Sequence, residues 1–100
     1  MYGTIGIFRI NPGSEAAAAS HMNSWWTERA PKVKGAISGS LHSNAANPSE
    51  LILSVVFESK EAYDANAADP EQDRWFQQLR TMLSGDPRWI DGDVLSCNHV

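Results

Sequence analysis

Apolar and polar positions change their period along this chain, and each change marks an element. Ile5, Ile7, Phe8 and Ile10 stand in a partly alternating order within Tyr2 to Ile10, which predicts a strand with Gly3 and Gly6 as weak points. Asn11-Pro12-Gly13 ends it with three turn formers, and Ser14 can then cap a helix with Glu15 in its first turn. Glu15 to Ala30 holds an alanine run without glycine or proline, so it reads as helix. Ala18, Met22, Trp25 and Trp26 recur at helical spacing and define its buried face. Pro31 stops it, because the residue before a proline avoids helical angles.

The period then drops to two. Val33, Gly35, Ile37, Gly39 and Leu41 alternate with Lys34, Ala36, Ser38 and Ser40, which predicts a second strand. The polar stretch His42 to Ser49 reads as a hairpin loop longer than a tight turn. Leu51 to Phe57 is almost unbroken apolar sequence, the pattern of a strand covered on both faces. Glu58 to Ala68 returns to helical spacing, with Ala62, Tyr63 and Ala67 on its apolar side. Asp69-Pro70-Glu71-Gln72 restarts the helix, with Asp69 as N-cap and Gln72 reaching back as a capping box. Trp75, Phe76, Leu79, Met82 and Leu83 share the next helical face, Gly85 suits its C-terminal cap, and Pro87 prevents continuation. Trp89 to Cys97 is a last strand interrupted at Asp91-Gly92-Asp93, followed by a frayed tail from Asn98.

The predicted order is βαββαβ, the ferredoxin-like split βαβ arrangement, in the α+β class. It implies a four-stranded antiparallel sheet with both helices on one face, in a single domain covering residues 1–100. Two helices cover one face of such a sheet. The third strand nonetheless puts Leu51, Leu53, Val55 and Phe57 on one side and Ile52 and Val56 on the other. The first strand likewise opposes Phe8 and Ile10 to Ile5 and Ile7. A bare face of this kind marks an interface, so a homodimer with two sheets packed face to face is expected.

Composition narrows the classes. Apolar residues make up 42% and charged residues 20% of the chain, an ordinary globular balance that argues against disorder. Eight basic against twelve acidic side chains give a net charge of −4, which argues against a nucleic-acid partner. The single cysteine, Cys97, allows no intrachain disulfide and no cysteine-based zinc site. No apolar run approaches the length of a membrane span, and the opening residues lack the basic-then-apolar pattern of a signal peptide, so no membrane partner and a cytoplasmic location are expected. Four tryptophans, Trp25, Trp26, Trp75 and Trp89, are the compositional oddity.

Three local patterns carry a resemblance: the opening strand followed by Asn11-Pro12-Gly13, the step from Pro31 to Gly35, and the junction Phe57-Glu58-Ser59-Lys60-Glu61-Ala62. Together they resemble the dimeric α+β barrel superfamily and, within it, antibiotic biosynthesis monooxygenase-like domains, over residues 2–96. The resemblance implies a homodimer whose sheets form a barrel, with a pocket in each subunit between helices and sheet. It also implies a range of activities: cofactor-independent monooxygenases acting on polycyclic phenols or quinols, haem-degrading enzymes and isomerases. The haem-degrading branch uses an asparagine in the first strand, then a tryptophan and a histidine in the second helical region. Those positions correspond here to Gly6, Asn66 and Phe76, so haem degradation is not expected, and no cofactor is.

Three histidines are available. His21 lies four residues before Trp25 on the same helical face and is a candidate base for a phenolic substrate. His42 belongs to the hairpin and His99 to the tail, and their spacing forms no metal-ligand motif, so no metal is expected. Trp25 and Trp26 point about 100° apart on a helix, so one should be core and the other should line a pocket or interface. Trp75 and Phe76 repeat the pattern, and Trp89 suits a dimer contact. Tyr63 is the second candidate catalytic residue, as a hydrogen-bond donor to a substrate oxygen. Arg9 and Arg74 are further groups placed to reach inward, with Glu58 a partner for Arg9. Phe8, Met22, Trp25 and Trp75 are the candidate ligand-binding walls, suited to a small aromatic ligand. Two functions remain open: a cofactor-independent monooxygenase acting on a small aromatic or quinone-like molecule, and a non-catalytic dimer that binds a small ligand or serves as a structural partner.

Overall fold

A computed structural model describes residues 1–98. Strand β1 (Tyr2–Arg9) is followed by α1 (Glu15–Glu28), a 3-10 turn (Ala30–Lys32), β2 (Ala36–Asn44), β3 (Asn47–Phe57), α2 (Lys60–Ala67), α3 (Pro70–Arg80) and β4 (Arg88–Asp93). The sheet order is β2-β3-β1-β4, with every neighbouring pair antiparallel. The expected α+β architecture is present, its second helical region split into α2 and α3 at Asp69-Pro70.

Register decides what each face carries. Phe8 lies opposite Leu51, Gly6 opposite Leu53, Thr4 opposite Val55 and Tyr2 opposite Phe57, so these share the face that the helices cover. Phe8, Leu51 and Phe57 join Ile10, Ala18, Met22, Trp25, Trp75 and Leu79 in one buried cluster. The other face brings together Ile7 with Ile52 and Ile5 with Ile90. Ile5 and Ile90 are exposed there, while Val56 is buried. Val56 owes its burial to the chain after β4, which folds back over that end of the sheet. The Val94 amide donates to the Met1 carbonyl at 3.0 Å, and Cys97 Sγ reaches within 3.7 Å of Ser38 Oγ on β2.

Several boundaries differ from the sequence expectation, each because a local hydrogen bond outweighs the pattern. Helix α1 ends at Glu28, and the chain tightens into the 3-10 turn, with Lys32 and Val33 amides bonded to the Arg29 and Ala30 carbonyls. Gly35 then turns the chain at φ 88°, so β2 starts at Ala36 rather than Val33, and a bulge leaves Ile37 unpaired. The long hairpin loop is absent: β2 and β3 run on to Asn44 and Asn47, whose side chains accept from the Ala46 and Ser49 amides at 2.9 and 3.2 Å. Ser59 caps α2 by accepting from the Ala62 amide, which moves its start to Lys60.

Asp69 does cap α3, by accepting from the Glu71 amide, but Gln72 does not complete a capping box. Nor does Gly85 cap the other end. Met82 and Leu83 leave the helix to meet the chain just after β1, the Asn11 amide donating to the Met82 carbonyl and Leu83 bridging Ile10. Strand β4 ends at Asp93 and passes through Asp91-Gly92-Asp93 in unbroken register with β1, so no bulge forms there. Gly92 pairs with Gly3. The expectation for His99 lies outside the described residues. Among the described residues no helix is long and apolar enough to cross a membrane.

Candidate functional site

A cavity of about 360 Å³ opens between the three helices and the covered face of the sheet. Phe8 and Leu79 sit deep in it, and Trp25, Trp75, Trp26 and Trp89 supply aromatic walls. Tyr63 and Asp91 line it from α2 and β4, and Asn66 and Gln72 from α2 and α3. Phe8, Met22, Trp25, Trp75 and Tyr63 are therefore brought together around one space. His21 is not.

His21 sits outside, on the flank of α1. Its ring stacks on Trp75 with centroids 4.7 Å apart and planes 18° from parallel. Its Nε2 lies 2.9 Å from the Trp75 carbonyl, and because a carbonyl only accepts, that nitrogen carries the proton. The ring braces Trp75 from behind instead of facing the cavity.

Trp25 and Trp26 depart from the expected division of roles. Both line the cavity, meeting edge to face at 5.0 Å and 78°. Gly39 on β2 makes this possible: a side chain there would collide with the Trp26 indole, so the glycine lets that ring lie over the sheet. Gly6 does the same for Trp89, which lies opposite it in the β1–β4 register and stacks edge-on against Phe8 at 5.2 Å and 88°. Trp89 accordingly belongs to the cavity wall on the helix-covered face and not to the open face expected for a dimer contact.

Two polar groups of residues frame this space. At one end the Tyr63 hydroxyl donates to Asp91 Oδ1 at 3.0 Å, and the ring packs edge-on against Phe57. Burial, together with the Asp91 carboxylate beside it, pushes the Tyr63 phenol up to about 12. Tyr63 is therefore a neutral donor near neutral pH, not a base. Because the folded state holds this proton more tightly than the unfolded chain, with its phenol near 10, Tyr63 contributes stability in full below pH ~10 and loses it as pH rises toward ~12. Ultraviolet titration of the native protein minus that of Tyr63→Phe should show a tyrosinate step near 12. Asp91→Asn should lower that midpoint without returning it to the ordinary value, since burial is the larger cause. A step at the ordinary tyrosine value in the native protein would refute the buried, Asp91-bonded geometry.

At the other end stands Arg29, which sequence reasoning missed. It is 5% exposed. Its guanidinium donates to Asn66 Oδ1 at 3.0 Å, Asp69 Oδ2 at 3.2 Å and Gln72 Oε1 at 3.4 Å, tying α1 to α2 and α3. Trp25 Nε1 donates to the same Gln72 oxygen at 2.8 Å. Gln72 thus turns inward to Trp25 instead of back to the α3 N-cap. The Glu71 amide, followed by the Arg29 guanidinium, holds the Asp69 carboxyl below its usual range, against its own desolvation. A spacing signal did exist: Met22, Trp25 and Arg29 stand at i, i+3 and i+7, as do Gln72, Trp75 and Leu79. Arg9 and Arg74 do not reach inward. Arg9 is exposed opposite Glu50, not Glu58, and Arg74 pairs with Glu71 on its own helix at 2.7 Å.

No family model and no curated protein matches the sequence. Solved structures do match. The cofactor-independent oxygenase SnoaB from Streptomyces nogalater superposes with a TM-score of 0.82 at 14% identity, over 96% of this chain and 94% of its own. A proposed antibiotic biosynthesis monooxygenase from Nitrosomonas europaea gives 0.80 at 14% identity, over 96% and 100%. A Mycobacterium tuberculosis protein gives 0.80 at 19% identity, over 98% of both chains. The chain has the antibiotic biosynthesis monooxygenase-like fold. At these identities the likeness is one of fold, and it agrees with the resemblance carried by the turn and cap residues. Within that fold, the space roofed by α1, α2 and α3 is where this chain concentrates its tryptophans.

Proposed function

We propose that this protein is a homodimer of α+β barrel type whose subunits each bind a small, flat, aromatic or quinone-like molecule between helices and sheet. The observation that carries the reading is the cavity of about 360 Å³ walled by Phe8, Trp25, Trp26, Trp75 and Trp89. Faces and edges of aromatic rings reward a flat apolar ligand through stacking and area burial. Tyr63, its one proton held by Asp91, presents its phenol oxygen as an acceptor to a ligand hydroxyl or N–H, and His21 supports Trp75. The dimer reading rests on the exposed isoleucines of the open sheet face, Ile5 and Ile90.

A second reading, a cofactor-independent monooxygenase acting on such a molecule, is favoured by the likeness to the Streptomyces nogalater oxygenase. Against it stand the absence of His21 from the cavity wall and the raised affinity of Tyr63 for its proton. Light scattering on a sizing column should give twice the 11.0 kDa chain mass. Calorimetric titration with 1-naphthol should give one site per chain, weakened by Trp75→Ala. A single-chain mass defeats the dimer, and no binding by any flat aromatic defeats the ligand reading. Oxygen uptake dependent on added anthrones or quinols decides for the oxygenase.

A further inference from the structure

The amide groups of Asn66 and Gln72 are not free to choose which end they show a ligand. Arg29 and Trp25 have only donors to offer, so each bond they make must land on an amide oxygen. Arg29 Nη2 holds Asn66 Oδ1, and Trp25 Nε1 with Arg29 Nε holds Gln72 Oε1. The network therefore fixes which atom of each amide is oxygen, a choice that side-chain shape alone leaves open. Both residues line the cavity, and among the described residues neither amide nitrogen has a protein partner. Neither is sealed off, since no buried side-chain nitrogen or oxygen lacks a partner among the described residues. The nitrogens are what remains to meet a ligand.

The opposite end has the reverse character. The Tyr63 proton is committed to Asp91, leaving the phenol oxygen and the rest of the Asp91 carboxylate as acceptors. Asp73, beside Gln72, also lines the cavity, but it is an exposed side chain with Oδ1 accepting from Gln77.

We infer that Asn66 and Gln72 are the specificity-determining residues of this cavity, forming a donor pole that selects a ligand with a carbonyl or similar acceptor oxygen and sets its orientation. Arg29 and Trp25 are the positioning residues that hold this polarity. The inference rests on the ligand-binding reading above and assigns the polarity of the bound molecule. A ring ligand enters with its acceptor oxygen toward α2 and α3, and any hydroxyl or N–H donor toward Asp91 on β4.

The test uses two probes of nearly the same shape, tetralin and 1-tetralone, which differ by one carbonyl. Their affinities are measured by equilibrium dialysis against the native protein, Gln72→Glu and Asn66→Asp at pH ~8, where an unperturbed carboxyl is ionised. The carboxylates still accept from Arg29 and Trp25 but offer the ligand no donor. The ratio of 1-tetralone to tetralin affinity should fall about tenfold in each variant, the value of one hydrogen bond with its unpaired partner. Melting curves confirm that the variants are folded, and tetralin, having no polar atom, reports whether the cavity is intact. Tetralin binding with an unchanged ratio in both variants overturns the donor pole and leaves the pocket reading standing. No binding of either probe to the native protein overturns both.

Discussion

Phe8→Ala should be the most damaging single truncation in this chain, costing about 4 kcal/mol, the usual range for emptying a fully buried aromatic site. Phe8 is 1% exposed, lies opposite Leu51 in the β1–β3 register, and meets the edge of Trp89 at 5.2 Å. It is thus both the centre of the core and the floor of the cavity. The void left behind cannot collapse easily, because β1 is pinned on both sides by β3 and β4. A domain of this size has roughly 5–15 kcal/mol in total, so the variant stands near the edge of folding. Urea denaturation gives the value, and Phe8→Leu, which keeps most of the volume, should lose markedly less. A loss below ~1 kcal/mol for the alanine variant would mean that Phe8 does not hold the sheet to the helices as described.

Arg29→Leu should cost about 3 kcal/mol, a second large effect with a different cause. Leucine refills much of the volume, so the loss reads hydrogen bonding more than cavity formation. Arg29 bonds three side chains from α2, the α2–α3 junction and α3, and its removal strips Asn66 of the donor that holds its oxygen. The cost is bounded for two reasons. The Asp69 side chain is 38% exposed and still caps α3 through the Glu71 amide, so no carboxylate is stranded in apolar surroundings. Gln72 Oε1 also keeps its bond from Trp25. At roughly 4–8 °C per kcal/mol for a chain of this length, the melting temperature should drop by more than about 10 °C. A shift of a degree or two would place the guanidinium in solvent and remove the basis for a fixed donor pole.

Much of the candidate site is legible in the sequence. Phe8, Met22, Trp25 and Trp75 follow from periodicity alone, because an apolar side chain on the buried stripe of a helix or strand has one place to go. Tyr63 was legible for the same reason. His21 was misjudged because a four-residue step rotates it about 40° from Trp25, enough to set it on the flank facing α3 instead of over the cavity. Arg29 and Gln72 lie on the stripes of Trp25 and Trp75, and Asn66 on that of Tyr63, yet polar residues there read equally well as solvated. Their partners come from three different helices, and no local pattern pairs positions separated by 37 to 47 residues. Trp89 faces the helices and not a dimer contact because the pairing of β4 with β1 sets it opposite Gly6, and no local signal at a strand start encodes that register.

The division has a physical basis. Local chemistry settled the element order, the restart of the helix at Asp69-Pro70, and the apolar character of both sheet faces, since capping, φ restriction and side-chain period act within a few residues. Register, the bulge at Ile37 and the return of the chain after β4 over Val56 depend on contacts between distant segments. So does the turning of Gln72 from its own helix cap to Trp25. A buried amide goes where a donor would otherwise stay unpaired, and that demand exists only once the helices have packed.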